Sequence, residues 1–187
     1  MARTLRKPHI DYRAKNGIHH GAMTPVRIVL HDTESHDTAG ITDIAGIYNF
    51  WVSQGLGYGA QFIVDKDGNI GQGGTVHQEM WHVGNYNGGS VGIEQIGFAS
   101  YTEAEWKHEN LAQLIKVSRL IAWMHKEYAI PIQHDINAGV CTHADVGHAG
   151  IDPSGHTDPG PNYPLTMVLW LAQRYVTLGG WSVAEPV

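Results

Sequence analysis

Three apolar residues, Ile28, Val29 and Leu30, run in succession and stop at the polar triplet His31-Asp32-Thr33. That pattern predicts a short buried strand whose end emerges at a sheet edge. Ile44, Ile47, Tyr48 and Trp51 follow at the spacing of one helix face, which predicts a helix over Thr42–Gln54 ended by Gly55-Leu56-Gly57. Ala60–Val64 and Asn69-Ile70 flank Asp65-Lys66-Asp67-Gly68, whose Asp-Gly pair supplies the positive φ of a tight turn and predicts a hairpin. Ser90–Ile96 reads as another strand. Thr102–Tyr128 predicts the longest helix: Thr102 and Glu105 suit a capping box, and Leu111, Leu114, Ile115, Ile121 and Met124 mark a buried stripe. Gly139–Tyr163 is rich in glycine and proline and is expected to be loop. Pro164–Leu178 predicts a final helix with Met167, Leu171 and Tyr175 on one face. Strands and helices alternate, so the expected class is α/β, a single domain with a mixed central β-sheet flanked by helices. Residues 1–25 are expected to be an irregular lead-in, 26–178 the domain proper and 179–187 a tail.

Bulk properties narrow the function. A chain of 187 residues suits one domain with a substantial core, and 42% apolar against 16% charged residues excludes a disordered chain. The net charge of −6 argues against nucleic acid bound by phosphate neutralisation, so no nucleic-acid partner is expected. A locally charged polymer such as a cell-wall glycopeptide remains open. Cys141 is the only cysteine, which rules out an internal disulfide. Met1–Lys15 has no apolar stretch of the signal-peptide kind, so none is expected. No apolar run approaches the roughly 18–20 residues that span a bilayer, so no membrane insertion is expected. A monomer is expected.

The densest chemistry lies in His143-Ala144-Asp145-Val146 and His156-Thr157-Asp158-Pro159-Gly160. Imidazoles and carboxylates are the usual ligands of a catalytic Zn²⁺, which takes three protein groups and keeps one position open. His31, at a strand end, is a third imidazole from far upstream. On its own it reads first as a capping or surface histidine. Alternation along Ser90–Ile96 puts Val91, Ile93 and Gln95 on one face and Glu94 on the other. Burial there would raise the Glu94 pKa toward that of a general base, and an exposed edge strand would leave it an ordinary surface acid. His156 and Asp158 share a face in extended chain. Trp81-His82-Val83-Gly84 reads as groove lining, or as a core tryptophan beside an exposed histidine. Asp145 and Asp152 read as turn formers, His134 and His148 as surface residues, and Cys141 as a free thiol rather than a thiolate ligand.

Taken in order, these segments resemble the zinc-dependent type 2 N-acetylmuramoyl-L-alanine amidases, a group that includes phage endolysins and is related to peptidoglycan-recognition proteins. The resemblance rests on Arg27–Thr33, Ala60–Gly68, Trp81–Gly84, Ser90–Glu94, Thr142–Val146 and His156–Pro161, and covers about residues 25–178. It implies the amidase and peptidoglycan-recognition-protein fold. It implies His31, His143 and Asp158 as Zn²⁺ ligands, Glu94 as the base and Trp81 and His82 as groove residues. His156 falls where many relatives carry a lysine that stabilises the oxyanion, and Ala60 where some carry a catalytic tyrosine. The implied reaction is hydrolysis of the bond between N-acetylmuramic acid and L-alanine of bacterial peptidoglycan. The implied setting is a phage endolysin, made in the host cytoplasm and acting on the wall after release; a bacterial amidase that recycles wall fragments would share these residues. A non-catalytic peptidoglycan-binding module and a zinc peptidase cutting within the stem peptide are the alternatives.

Overall fold

The computed structural model describes residues 5–14, 18–38, 40–55 and 57–179. A six-stranded sheet runs in the order β1 (Tyr12–Arg13), β5 (Ile70–Gln72), β4 (Phe62–Val64), β7 (Ser90–Gln95), β3 (Arg27–Asp32), β8 (Val140–Thr142). The pairing of β4 with β5 is antiparallel and the others are parallel, so the sheet is mixed. β2 (Gly21–Ala22) and β6 (Gln78–Glu79) form a separate antiparallel pair. The helices are α1 (Ile41–Gln54), α2 (Leu111–Tyr128), α3 (His143–His148) and α4 (Leu165–Thr177). No helix among the described residues is long and apolar enough to cross a membrane.

Side-chain alternation sorts the two faces of the sheet. Ile28 and Leu30 of β3, Phe62 and Val64 of β4, and Val91 and Ile93 of β7 join one core with Leu114, Leu120 and Ile121 of α2 and Leu171 and Tyr175 of α4. Each such fully buried aliphatic side chain contributes about 1.5–3 kcal/mol. On the other face, Ile63 packs with Ile44 and Tyr48 of α1, and Val29 with Val83, Cys141 and Val146. His31 and Glu94 carry the same parity as Val29 and Gly92, so the periodicity that buries the main core sends both polar side chains to the opposite face.

Most expected elements are present. Gly55 ends α1 in the left-handed conformation, with φ 64°. β4 and β5 form the hairpin, with Gly68 at φ 81° and Asp65 accepting from the Asn69 amide at 2.7 Å. Thr102 and Glu105 form their capping box, but the long helix is not continuous. Glu105–Glu109 is a π-helical turn, and α2 starts only after Asn110. The Asn110 amide and side chain both donate to the Glu105 carbonyl, at 3.1 and 3.0 Å, which diverts it from regular helix bonding. The expected loop over Gly139–Tyr163 holds β8 and α3. Thr142 and Asp145 cap α3 reciprocally, so Asp145 is structural, as read from the sequence. Cys141 is a buried free thiol whose pKa burial pushes up to about 12. The lead-in contributes β1 and β2 rather than irregular chain throughout; two-residue strands leave no periodic trace. Residues 180–187 of the expected tail lie outside the described residues.

Candidate active site

Parallel pairing of β3 with β7 sets His31 directly opposite Glu94, and the two side chains emerge on one face. The chain then brings up the late segment. β8 delivers His143 as the first residue of α3, and the loop beyond returns Asp158, whose carbonyl accepts from the Ala144 amide at 3.0 Å. His31, His143 and Asp158 are buried at 2%, 4% and 6% exposure. One potential ligand atom from each lies within 4.8 Å of the others, and this is the three-residue metal-ligand group found among the described residues.

These side chains meet at short polar contacts. His31 Nδ1 lies 2.9 Å from Asp158 Oδ2, and His143 Nδ1 lies 3.2 Å from Asp158 Oδ1. The outer nitrogens have other partners: His31 Nε2 is 3.0 Å from His82 Nδ1, and His143 Nε2 is 2.5 Å from Asp152 Oδ2. Asp158 Oδ1 is buried and makes no hydrogen bond. Two imidazoles and a carboxylate, buried and facing one another, with outer nitrogens bonded elsewhere, fit a Zn²⁺ in chemistry and arrangement.

The electrostatics follow from burial and these partners. Burial pushes the Asp158 carboxyl up, but the imidazoles of His143 and His31 outweigh it and hold the group well below the usual carboxylate range. His143 is lowered by burial and raised more strongly by Asp158 and Asp152, for a net rise. Burial dominates at His31 and lowers it. Glu94 is raised well above an ordinary carboxyl, first by burial and then by the charges of Asp158 and Asp32. Its Oε2 is buried and unpartnered. Asp32, also at the cleft, is raised to about 7 by burial.

These groups open into a cleft of about 1010 Å³ that also takes in Trp51, Tyr58 and Trp81. His156 stands at its rim, its side chain 60% exposed, stacked on His143 with ring centroids 4.6 Å apart and Nδ1 3.4 Å from Asp158 Oδ1. Trp81 is 41% exposed rather than in the core, and stacks on His20 at 3.5 Å between centroids. His82, beside it, is partly buried with both ring nitrogens engaged. The structure thus brings together every expected site residue. It adds Asp152, read from the sequence as a turn former. Asp152 does accept from the Ser154 amide at 3.1 Å as turn formers do, but its second oxygen braces His143. Thr142, three residues upstream, marks Asp145 locally as a cap partner; nothing in the local sequence marks Asp152 for His143.

Residues 21–161 match the family Amidase_2, N-acetylmuramoyl-L-alanine amidase. No curated protein sequence matches the chain. Among solved structures, the endolysine N-acetylmuramoyl-L-alanine amidase LysCS from Clostridium intestinale URNW is similar, with a TM-score of 0.65 and 19% identity over 88% of this chain and 95% of that one. Staphylococcus aureus hydrolase AmiA has a TM-score of 0.68 and 16% identity, covering 95% of this chain and 89% of its own. Drosophila peptidoglycan recognition protein SD has a TM-score of 0.59 and 20% identity, covering 79% of this chain and 82% of that one. At these identities the likeness establishes the fold, and the family match goes further: the chain belongs to the N-acetylmuramoyl-L-alanine amidase family.

Proposed function

We propose that this amidase holds Zn²⁺ with His31, His143 and Asp158 and hydrolyses the amide bond between the lactyl group of N-acetylmuramic acid and L-alanine of bacterial peptidoglycan. One observation carries the reading: three buried donors face one another beside Glu94, which is in register with His31 and whose Oε2 is buried and unpartnered. The likeness to the endolysine LysCS supports a lytic role on the bacterial wall, as a phage endolysin acting after release from the host cytoplasm.

Bound there, Zn²⁺ supplies Lewis-acid polarisation of the lactyl carbonyl and lowers the pKa of water to about 7. The residues do the rest. Glu94, its pKa raised by burial, takes a proton from the attacking water as the oxygen bonds to the carbonyl carbon. It returns that proton to the alanine nitrogen as the C–N bond breaks, releasing a lactyl carboxylate and a free amine. His156 donates a hydrogen bond to the developing oxyanion from the rim. Trp81 and Tyr58, both exposed at the cleft, give the substrate apolar surface to lie against.

Digestion of purified peptidoglycan, followed by mass analysis, tests the reading. Intact stem peptides with a free alanine amine are expected. Cuts inside the peptide would make it a stem-peptide peptidase, and binding without release would make it a recognition module. A second expectation concerns His156. Loss of an oxyanion donor costs about 10²–10³ in kcat, and the exposure of this ring places His156→Ala near the lower end, with His156→Lys restoring most of the rate. An unchanged kcat in the alanine variant removes His156 from the reaction.

A further inference from the structure

We propose that His82 is a positioning residue that fixes which nitrogen of His31 faces the metal, through a hydrogen-bond chain that ends on the backbone carbonyl of Ser90. The inference rests on the reading of His31, His143 and Asp158 as the metal-holding set.

The backbone carbonyl at the far end sets the direction of every bond in the chain. A backbone carbonyl only accepts. His82 Nε2 lies 3.3 Å from the Ser90 oxygen, so that nitrogen carries the hydrogen. A neutral imidazole has one N–H, and a charged ring here would set a second cation beside the metal, so Nδ1 of His82 is bare and accepts. The atom 3.0 Å from it is His31 Nε2, which must therefore be the donor. His31 Nδ1 is left with a lone pair, 2.9 Å from the Asp158 carboxylate. Two electron-rich atoms at that distance require something positive between or beside them. His143 reaches the same state by another route: its Nε2–H donates to the Asp152 carboxylate at 2.5 Å, and its Nδ1 faces Asp158. One ligand histidine is braced by an anion and the other by a neutral ring tied to the main chain.

Two further features serve this arrangement. The His82 amide donates to Asn87 Oδ1 at 2.9 Å, so the backbone that carries the ring is pinned by the turn that follows it. Position 92 of β7, on the site face two residues before Glu94, is glycine. A Cβ there would lie 2.9 Å from His82 Cγ. The missing side chain is the space in which the His82 ring stands, edge-on to His31 at 88° and 5.1 Å between centroids. His82 lines the cleft beside Trp81, and both of its ring nitrogens are engaged within the protein.

The test is zinc affinity of the whole protein, measured by competition with a chelator, for wild type, His82→Phe and His82→Asn. Loss of an outer hydrogen-bond partner typically weakens metal binding by about 10–100-fold. That loss is expected for His82→Phe, which keeps the ring but not the acceptor. His82→Asn, whose amide oxygen can stand near the Nδ1 position, is expected to recover most of it. Equal affinity of His82→Phe and wild type overturns the proposal. If the phenylalanine variant does not fold, nitrogen-15 NMR of the zinc-loaded wild type decides: a hydrogen on His82 Nε2 supports the chain and one on Nδ1 overturns it. Wild type that binds no zinc overturns the underlying metal reading instead, and is told apart from the first outcome by the wild-type measurement alone.

Discussion

Glu94→Gln is expected to keep zinc and to lose amidase turnover by about 10²–10⁴-fold, the usual contribution of a general base. The substitution keeps the shape of the side chain and its place on β7, and removes only the ability to take a proton. Glu94 lies outside the three-donor group, so metal affinity has no direct reason to fall. The buried, unpartnered Oε2 is what makes the loss large: among the described residues no hydrogen bond competes for it, and burial keeps its proton affinity high. Zinc content and initial rates on purified peptidoglycan, measured on one preparation, check both halves. Near-normal turnover would remove Glu94 as the base; loss of zinc would place it in the metal set.

Asp158→Ala is expected to abolish useful zinc binding, with a fall larger than the roughly 10–100-fold that outer partners cost. Both inner imidazole nitrogens face this one carboxylate, at 2.9 and 3.2 Å, so the substitution removes a donor and the anion that draws the imidazoles together. A ligand that binds only the folded state stabilises it by about 2.7 kcal/mol at one hundred times its Kd. Thermal unfolding should therefore rise on addition of zinc for wild type and stay flat for Asp158→Ala. A zinc-dependent rise in the variant equal to that of wild type would strike Asp158 from the ligand set.

The parts of this molecule legible in the sequence are those whose physics is local. β3 announces itself by three apolar residues in a row, α2 by its stripe from Leu111 to Met124, and the β4–β5 hairpin by its Asp-Gly pair. His31 and Glu94 were legible as candidates because each interrupts a strand pattern. The convergence of His143 and Asp158 was legible only through family resemblance, since fourteen intervening residues carry no period. α3 was missed because six residues with a glycine among them give too short a pattern, although Thr142 and Asp145 spelled its cap. Asp152 and the inward duty of His82 were missed for a different reason. Both act on a ring that arrives from a distant element, and no local rule encodes that meeting.

His31 and Asp158 are separated by 127 residues along the chain. A cation shared between them ties an early strand to a late loop and closes nearly the whole domain into a ring. Clips that close long loops remove the most freedom from the unfolded chain in principle. Occupancy of the site therefore bears on more than chemistry: with metal bound, releasing β8 or the late loop from the sheet means breaking coordination first. Local opening of that region becomes coupled to opening of the whole. The same three side chains that hold the metal for the cut would then also decide how long the enzyme survives among the fragments it makes.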